Sequence, residues 1–428
     1  MSPPARLRIA IVGCGIGGPA SALLLARQGH SVVVFERAGE LGPKGAGILL
    51  APTGQLVLDR LGLLADAAAA GSRIHRLVGH TASGRQIIDV RYRHYSPGLF
   101  GLGIHRGTLF SILRKAMESR QIEIRTGFEV LSINEERTVV GDGISEGPFD
   151  LIVVADGARS ALRASVCETQ RVSPYAYGAL WASVVNWGEY PDNVLRQVYR
   201  GTREMMGLLP SGLLEGEEGR QISLFWSLPM QEVETWRAEG IDAWKRRIVD
   251  LDPSSRELLD QIVSADQITV ASYVDARTHA SARTQIVAIG DAAHASSPQL
   301  GQGASMALFD AMILADCLED EPNIVVALMR FHGLRRKHVR FYQQASKWMT
   351  PFFQSGRSLL AWPRDLRLGP ICRIPWLRRE MAATMCGVKS GIFSRLANEE
   401  QIKQLGIRFA LGGLTSGSKD LVSHSSGE

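Results

Sequence analysis

The strongest constraint on the fold is a glycine-rich turn between an apolar run and an apolar helix. Arg8 to Val12 reads RIAIV, which predicts a buried strand, and the run from 13 to 18, GCGIGG, leads directly into PASALLLARQG. In this context the first glycine makes a tight turn, the second lets a pyrophosphate approach the backbone, and the third lets the helix pack on the strand. A second strand, SVVVFER, ends on Glu36, 23 positions after Gly13, where a carboxylate can bind ribose hydroxyls. The sequence therefore predicts a dinucleotide-binding unit that could hold NAD or FAD.

A second stretch, QIVAIGDAAHASSPQLGQGASMALFDA, also indicates a bound molecule. Ile286 to Ile289 is a β-branched run stopped by Gly290, which predicts a short strand covered on both faces, with Asp291 at its carboxyl end. The run Gly301-Gln302-Gly303 precedes an alanine-rich helix. Small residues there let an electron-rich ligand reach the first helical amides, where partial positive charge favours it.

Composition excludes several other classes of protein. The chain has 428 residues, 45% of them hydrophobic, and 44 glycines, which fits a well-packed α/β enzyme of two or three domains. Its five cysteines have no CxxC or Cys/His spacing, so we expect neither disulfides nor a metal site, and a cytoplasmic location is the expectation. The net charge is a modest +5, and no Lys/Arg block interleaves with aromatics in the way that a nucleic-acid surface requires, so no nucleic-acid partner is expected. No apolar run reaches the roughly 18 residues of a spanning helix, which predicts a soluble or at most peripheral protein.

Two further stretches complete the pattern: GIHRGTLFSIL places Arg106 at a helix start, and DLIVVADGARSALR predicts a buried strand ending in Asp156-Gly157. Together these motifs resemble those of the single-component flavoprotein aromatic monooxygenases, which include hydroxybenzoate, salicylate and polyprenylphenol hydroxylases. The resemblance covers residues 8 to 320, with the motifs in the family's order. The chain departs from the family's pattern at Ser305, where Asn is frequent, and at Ala295-Ser296, where an aromatic or a Pro-Met pair is common.

The resemblance implies non-covalent FAD as cofactor and assigns its contacts. Glu36 would bind the ribose, Arg106 would lie near the pyrophosphate, and Asp291 would bind the ribityl chain. Asp156-Gly157 would lie where cofactor and nicotinamide approach, and residues 301 to 304 would face the flavin ring. The full predicted cofactor set is Gly13, Gly15, Ile16, Gly17, Gly18, Glu36, Arg37, Gly47, Arg106, Val130, Asp156, Gly157, Gly290, Asp291, Pro298, Gly301, Gln302, Gly303 and Ala304.

The predicted fold class is α/β: a Rossmann-like FAD-binding domain with an inserted antiparallel-sheet substrate domain and a helical C-terminal region. We expect the FAD-binding domain at 1–75, 100–170 and 275–320, the substrate domain at 76–99 and 171–274, the helical region at 321–415, and a disordered tail at 416–428. Period-two alternation with aromatics, as in YGALWASVVNW and QISLFWSLP, indicates the antiparallel sheet.

Aromatic residues of this sheet are the candidate substrate contacts. Trp181 and Trp226 are predicted to line the pocket together with Pro298, and Tyr177 is predicted to polarise a substrate hydroxyl as the catalytic residue. His294, although close to Asp291, is expected to be structural rather than a base.

The function implied by the resemblance is transfer of one oxygen atom from O2 to a phenol-like or heteroaromatic ring through a flavin hydroperoxide, with NAD(P)H as a transient electron donor. Two alternatives remain at this point: a flavoprotein reductase of isoprenoid double bonds, and a flavin-binding interaction protein without turnover. A flavin halogenase is disfavoured because its WxWxIP motif is missing from the sequence. The basic, aromatic stretch RFHGLRRKHVRFYQQASKWMTPFFQS could be a lid or a membrane-surface helix, but we expect it to pack on the domain with its basic face in water.

Overall fold

A computed structural model describes residues 6–42, 45–188, 190–280 and 285–412. The predicted tail at 416–428 lies outside these ranges. The strands, in chain order, are β1 (Arg8–Val12), β2 (Ser31–Glu36), β3 (Gly47–Leu50), β4 (Ser72–Ile74), β5 (Arg76–Thr81), β6 (Gln86–Arg91), β7 (Gly101–His105), β8 (Glu123–Thr126), β9 (Ser132–Ile133), β10 (Val139–Gly141), β11 (Ile144–Glu146), β12 (Leu151–Val154), β13 (Cys167–Pro174), β14 (Tyr177–Asn186), β15 (Val194–Arg200), β16 (Glu204–Leu213), β17 (Arg220–Pro229), β18 (Thr269–Ala271), β19 (Val274–Ala280) and β20 (Ile286–Ala288).

The α-helices connect these strands and form the carboxy-terminal region. They are α1 (Gly17–Arg27), α2 (Pro52–Leu61), α3 (Leu64–Ala70), α4 (Arg106–Ser119), α5 (Arg163–Val166), α6 (Val233–Leu251), α7 (Arg256–Asp260), α8 (Asp291–His294), α9 (Gly303–Asp320), α10 (Ile324–Phe353), α11 (Ala361–Ile371), α12 (Pro375–Met385) and α13 (Glu399–Ala410). Among the described residues, no helix is both long and apolar enough to cross a membrane.

A five-stranded parallel sheet, in the order β20-β12-β1-β2-β8, contains the motifs of the predicted nucleotide-binding unit and is here called the nucleotide-binding layer. Its central strands are β-branched and leucine runs buried on both faces, as parallel sheets covered by helices require. The carboxyl ends of parallel strands meet at one edge, so the residues after Val12, Glu36, Val154 and Ala288 converge there. This layer confirms the predicted Rossmann-like fold.

A seven-stranded sheet, in the order β18-β14-β17-β16-β15-β5-β6, lies beside it. Its pairs are antiparallel, as predicted, except that β15 and β5 run parallel. Strands β5 and β6 come from a separate early segment of the chain, so a crossover rather than a hairpin brings β5 to β15. The other pairs confirm the predicted antiparallel sheet.

The carboxy-terminal helices begin with α10, which packs against α9, while α9 in turn packs against α1 and α2. Further along the chain, α11 contacts β6 at the edge of the seven-stranded sheet. These contacts bring residues beyond 321 close to the nucleotide-binding layer.

Candidate functional site

The glycines of the first turn have three different surroundings. Gly13 has φ of +106°, and a Cβ there would lie 2.5 Å from the carbonyl oxygen of Ala155, so the turn admits no side chain. A Cβ on Gly18 would lie 2.0 Å from the carbonyl oxygen of Gly13, which fits close packing of helix on strand. At Gly15 the nearest atom to such a Cβ is an Arg106 guanidinium nitrogen 4.0 Å away, so this position is open to a ligand.

Glu36 holds the same turn from the end of β2. Its two carboxylate oxygens accept hydrogen bonds from the backbone N–H groups of Cys14, at 2.7 Å, and Ala38, at 2.9 Å. Burial and the Glu36 carboxylate raise the pKa of the Cys14 thiol to about 12, so Cys14 is a neutral and unreactive part of the wall.

A cavity of about 730 Å³ opens where the parallel strands end, within the size range of ligand sites. Both glycine-rich segments face it, although they are almost 300 residues apart in the chain. The predicted residues that line it are Gly13, Gly15, Ile16, Gly17, Glu36, Arg37, Arg106, Val130, Asp156, Gly157, Gly290, Asp291, Gly303 and Ala304.

The other predicted cofactor residues lie outside this lining. Gly18 and Gly47 serve packing, and the Gly47 N–H donates to Ser223 Oγ at 2.8 Å. Pro298 lies exposed in a short 3-10 helix that Gly301, with φ of +61°, ends. The Gln302 side chain does not line the cavity, and it donates to the carbonyl oxygens of Leu300 and Met385.

The Gly290-Asp291 turn is supported from below by a buried carboxylate that sequence reasoning missed. Asp310, on α9, accepts a hydrogen bond from the Gly290 N–H at 2.7 Å and lies 2.6 Å from His294 Nε2. Arg335 Nε, on α10, donates to its other oxygen at 2.6 Å. Burial alone would raise the pKa of Asp310, but His294, Arg335 and the Gly290 N–H together hold that pKa well below its ordinary value. His294 thus lies beneath the turn, bonded to a carboxylate.

Arg163 supports the same turn from the other side. Its guanidinium donates to the carbonyl oxygens of Ala292, at 2.7 Å, Asp291, at 3.3 Å, and Ala158, at 2.9 Å. Because Arg163 is buried, it fixes the position of the Asp291 backbone relative to the loop after β12.

The residues of the cavity fit FAD. One Asp156 oxygen is buried and has no hydrogen-bond partner among the described residues, which leaves it available to a ligand donor. Burial raises the pKa of Asp156, although Ser160, Arg163 and Arg37 act in the opposite direction. Arg37 and Arg106 offer positive charge, Gly15 leaves room for a pyrophosphate, and a Cβ on Gly303 would meet only an Asp291 oxygen at 3.8 Å. The amino-terminal ends of α1 and α9 meet this space with their free amides.

Replacement of Glu36 by Ala is expected to weaken FAD binding by about 1–3 kcal/mol, the usual range for a charge-assisted hydrogen bond. Two effects would combine, because the carboxylate holds the Cys14 amide in place and its remaining acceptor capacity would be available to the ribose of bound FAD. Titration of flavin-free protein with FAD measures the change. Glu36→Gln, which keeps one acceptor oxygen, should lose less, and an unchanged affinity in Glu36→Ala would contradict the assignment.

The candidate substrate residue Trp181 lies on one face of the seven-stranded sheet. Trp181 pairs with Phe225 across β14 and β17, with ring centroids 5.0 Å apart, and the next pair on that face is Ser183 with Ser223. Since Ser223 accepts from the Gly47 N–H and Ile48 lines the cavity, this face is turned toward the cofactor site.

Trp226 lies on the opposite face of the sheet. It is 2% exposed and packs in the cluster formed with Trp236 and Trp244 of α6. Successive side chains of a strand point to opposite faces of the sheet. Phe225 therefore shares the face of Trp181, and its neighbour Trp226 points to the face covered by α6. The expectation that Trp226 lines the same pocket as Trp181 is therefore corrected.

Two tyrosines offer hydroxyl groups here, Tyr177 at the start of β14 and Tyr273 two residues after the end of β18. Trp181 Nε1 donates to the hydroxyl oxygen of Tyr273 at 3.2 Å, which leaves the Tyr273 hydroxyl hydrogen free for another acceptor. Burial raises the pKa of Tyr273. Tyr177 shares the face of Trp181 but begins β14, four residues or about 13 Å away along the strand. Burial raises its pKa as well, partly offset by Arg203.

Other residues that line the cavity were not predicted from the sequence, and most of them belong to no recognisable sequence motif. They include Glu40, Leu41, Gly45, Ile48, Phe110, Phe128, Glu129 and Arg159. The exception is Phe110, which follows Arg106 by one helical turn in α4 and could have been found from that spacing. Among the described residues, no group of His, Cys, Asp and Glu side chains could hold a metal ion.

Comparison with known proteins agrees with this site. The sequence profile of the FAD binding domain family matches residues 6–321. The chain is 29% identical over 329 residues to 3-hydroxybenzoate 6-hydroxylase of Klebsiella oxytoca, covering 73% of this chain and 80% of the relative. It is 25% identical over 335 residues to 6-hydroxynicotinate 3-monooxygenase of Bordetella bronchiseptica, covering 73% and 82%.

Solved structures share the fold. The crystal structure of Klebsiella pneumoniae HpxO complexed with FAD and uric acid superimposes with a TM-score of 0.74. The match covers 90% of this chain and 98% of HpxO at 20% sequence identity. The fold therefore extends over both sheets and into the carboxy-terminal helices.

Proposed function

Since the chain belongs to the FAD binding domain family and is an FAD-dependent monooxygenase, we propose that its substrate is a small phenol-like or heteroaromatic compound and that FAD is held non-covalently. NAD(P)H is the electron donor and O2 the source of the inserted oxygen atom. FAD, when bound, supplies the activation of O2 that side chains cannot supply. The named relatives act on a hydroxybenzoate and a hydroxynicotinate, and both of these compounds are hydroxylated aromatic rings.

One observation supports the proposal above all. A single cavity brings together the open glycine turn, the Asp156 oxygen that has no partner within the described ranges, Asp291 and the first amides of α9. The predicted contacts of Asp291 with the ribityl chain, of Arg106 with the pyrophosphate and of Gly303 and Ala304 with the flavin ring are kept as part of the proposal. Partial positive charge at the start of the 18-residue α9 would stabilise negative charge on a flavin ring held by Gly303 and Ala304.

We propose that the substrate ring lies beside Trp181 and Phe225, with its hydroxyl group within reach of Tyr273. The Trp181 N–H donates to the Tyr273 oxygen, so the phenol hydrogen is oriented away from Trp181 and can be donated to a substrate oxygen. Because burial raises the pKa of Tyr273, the group stays protonated at neutral pH. Tyr177 remains the alternative for this role, and Pro298 would bound the pocket from the loop before α9.

The proposal also includes a cytoplasmic location. All five cysteines are free thiols, and four of them are buried. A supply of NAD(P)H and a reducing compartment suit such a chain.

The test measures NAD(P)H oxidation and incorporation of isotopically labelled O2 with a panel of hydroxybenzoates, hydroxypyridines and hydroxyquinolines. We expect a yellow protein whose FAD is released by acid, and labelled product from at least one ring class. Tyr273→Phe should lower kcat/KM by about tenfold, the loss of one hydrogen bond to substrate, while Tyr177→Phe should have a smaller effect. Saturation of an isoprenoid double bond without oxygen incorporation would instead establish the reductase, and flavin without any NAD(P)H oxidation would establish a binding protein.

A further inference from the structure

The carboxy-terminal helices expose an unusual number of large apolar side chains. Six of these, here called the apolar surface, are Trp348, Leu359, Trp362, Ile374, Trp376 and Phe393. Leu359 is 87% exposed, Phe393 78% and Trp362 71%, although side chains of this kind are ordinarily buried. The stretch 330–355, for which the sequence predicts a basic face in water, contains only Trp348 of these six and exposes Arg336, Lys337 and Arg340.

The apolar surface is built on anchored elements. Leu359, Trp362 and Leu366 follow helical spacing and point outward from α11 and the turn before it. The opposite side of α11 is fixed, because Arg364 is buried and its guanidinium lies over the ring of Tyr199, 5.1 Å from its centroid. Trp376 also packs beside Phe393, with centroids 6.2 Å apart. The exposed side chains therefore do not come from a frayed end.

The same region has a strong charge asymmetry. Residues 334–395 contain thirteen Lys and Arg but only two acidic residues, Asp365 and Glu380. This segment has a net charge of +11 while the whole chain has +5, so the remainder of the molecule is acidic by six charges. A partner for the apolar surface should accordingly be negatively charged.

A second cavity, of about 290 Å³, adjoins the apolar surface between β6 and the two helices α11 and α12. It is basic, being lined by Arg91, Arg93, His94, Arg373 and Arg378. The acid in its lining, Asp89, is already bonded by Arg76 at 2.7 Å. His94 Nδ1 is buried without a hydrogen-bond partner among the described residues, and Arg373 directly precedes Ile374 of the apolar surface. The cavity has the size and charge to take a phosphate group.

We propose that the apolar surface docks on an anionic lipid membrane, with its tryptophans at the interface and the basic cavity holding a lipid headgroup phosphate. Tryptophan suits the boundary between headgroups and acyl chains, and flanking arginines suit an anionic leaflet. A second copy of this chain would fit less well, because a symmetric contact would place two segments of +11 charge against each other. An enzyme held this way would meet ring substrates that partition into the bilayer.

The first experiment is co-sedimentation of the full chain with FAD bound, using vesicles of phosphatidylcholine alone or mixed equally with phosphatidylglycerol. We expect binding to the mixed vesicles, strong weakening by high salt, and a blue shift of tryptophan fluorescence on binding. Absence of binding to the mixed vesicles, or equal binding to both compositions, would overturn the proposal.

The second experiment tests whether the apolar surface and its arginines, and not another part of the molecule, bind the vesicles. Trp362→Ser combined with Trp376→Ser should lower vesicle affinity by at least tenfold, and Arg367→Glu with Arg373→Glu should do the same. The matched controls are Trp187→Ser, at a tryptophan 72% exposed elsewhere, and Arg246→Glu on α6; both should bind like the parent. Flavin content and NAD(P)H oxidation should be unchanged in every variant. Equal losses in the controls, or a double tryptophan variant that binds vesicles normally but turns a dimer into a monomer, would refute membrane docking.

Discussion

Asp310→Ala is expected to lower the free energy of unfolding by about 3–5 kcal/mol, the range for removing one partner of a buried ion pair. The change leaves the Arg335 guanidinium buried without its carboxylate and the Gly290 N–H without an acceptor. Since Gly290 shapes the turn that carries Asp291, FAD should also be lost on gel filtration. Urea unfolding of the flavin-free protein and the flavin absorbance of the purified protein measure the two effects.

Asp320→Ala is the matched control at the end of the same helix. Its carboxylate pairs with Arg330 at 2.9 Å, but both side chains are about half exposed, so the loss should stay within about 1 kcal/mol. If the two variants were equally stable, the buried network would have no energetic role.

The Asp310 effect should depend on pH in a defined direction. The folded-state pKa of Asp310 lies below the unfolded value of about 3.9, so its stabilisation is complete above that value and is lost as the pH falls through the folded-state pKa. The stability difference between parent and Asp310→Ala should consequently shrink below about pH 4. A difference that stayed constant between neutral pH and acid would contradict the depressed pKa.

Gly15→Val is expected to fold and to lose FAD. Gly15 does not have a positive φ, and the nearest atom to a Cβ there is the flexible end of Arg106 at 4.0 Å, so the unfolding free energy of the flavin-free protein should change by less than about 1 kcal/mol. The branched side chain would occupy the place where a pyrophosphate approaches the amides. Loss of two charge-assisted hydrogen bonds corresponds to about 3 kcal/mol or more, and FAD affinity should fall by about a hundredfold.

Gly18→Val should give the reverse outcome. Its Cβ would lie 2.0 Å from the Gly13 carbonyl oxygen, and backbone cannot move aside as a side chain can, so the fold itself should lose about 3 kcal/mol or more. Measuring FAD affinity and urea unfolding in both variants distinguishes the two roles. Similar losses of stability in both would mean that Gly15 is also a packing glycine.

Local sequence patterns were enough to predict those parts of the site whose residues are close together in the chain. The turn at Gly13, the acceptor at Glu36 and the exposed start of α9 each follow from a few consecutive residues. Asp310, Arg163 and Arg335 could not be found this way, because their partners lie 20, 128 and 25 residues away and only the folded chain brings them together. The error at Trp226 had a different cause, since a period-two pattern gives alternation but does not say which face is covered by α6.

The network below Gly290 continues beyond Asp310. Arg335 also bonds to His338, whose Nε2 lies 2.8 Å from the carbonyl oxygen of Gly387, and the Gln302 side chain reaches the Met385 carbonyl oxygen. The family match ends at 321, yet the turn that carries Asp291 is tied to residues 335–387. The nucleotide-binding part is therefore not an autonomous unit. A chain cut at 321 would keep the glycine-rich turn at 13–18, but its Asp310 would lose the ion pair with Arg335. Flavin occupancy and attachment of the last helices are then thermodynamically linked, and flavin colour reports on that attachment.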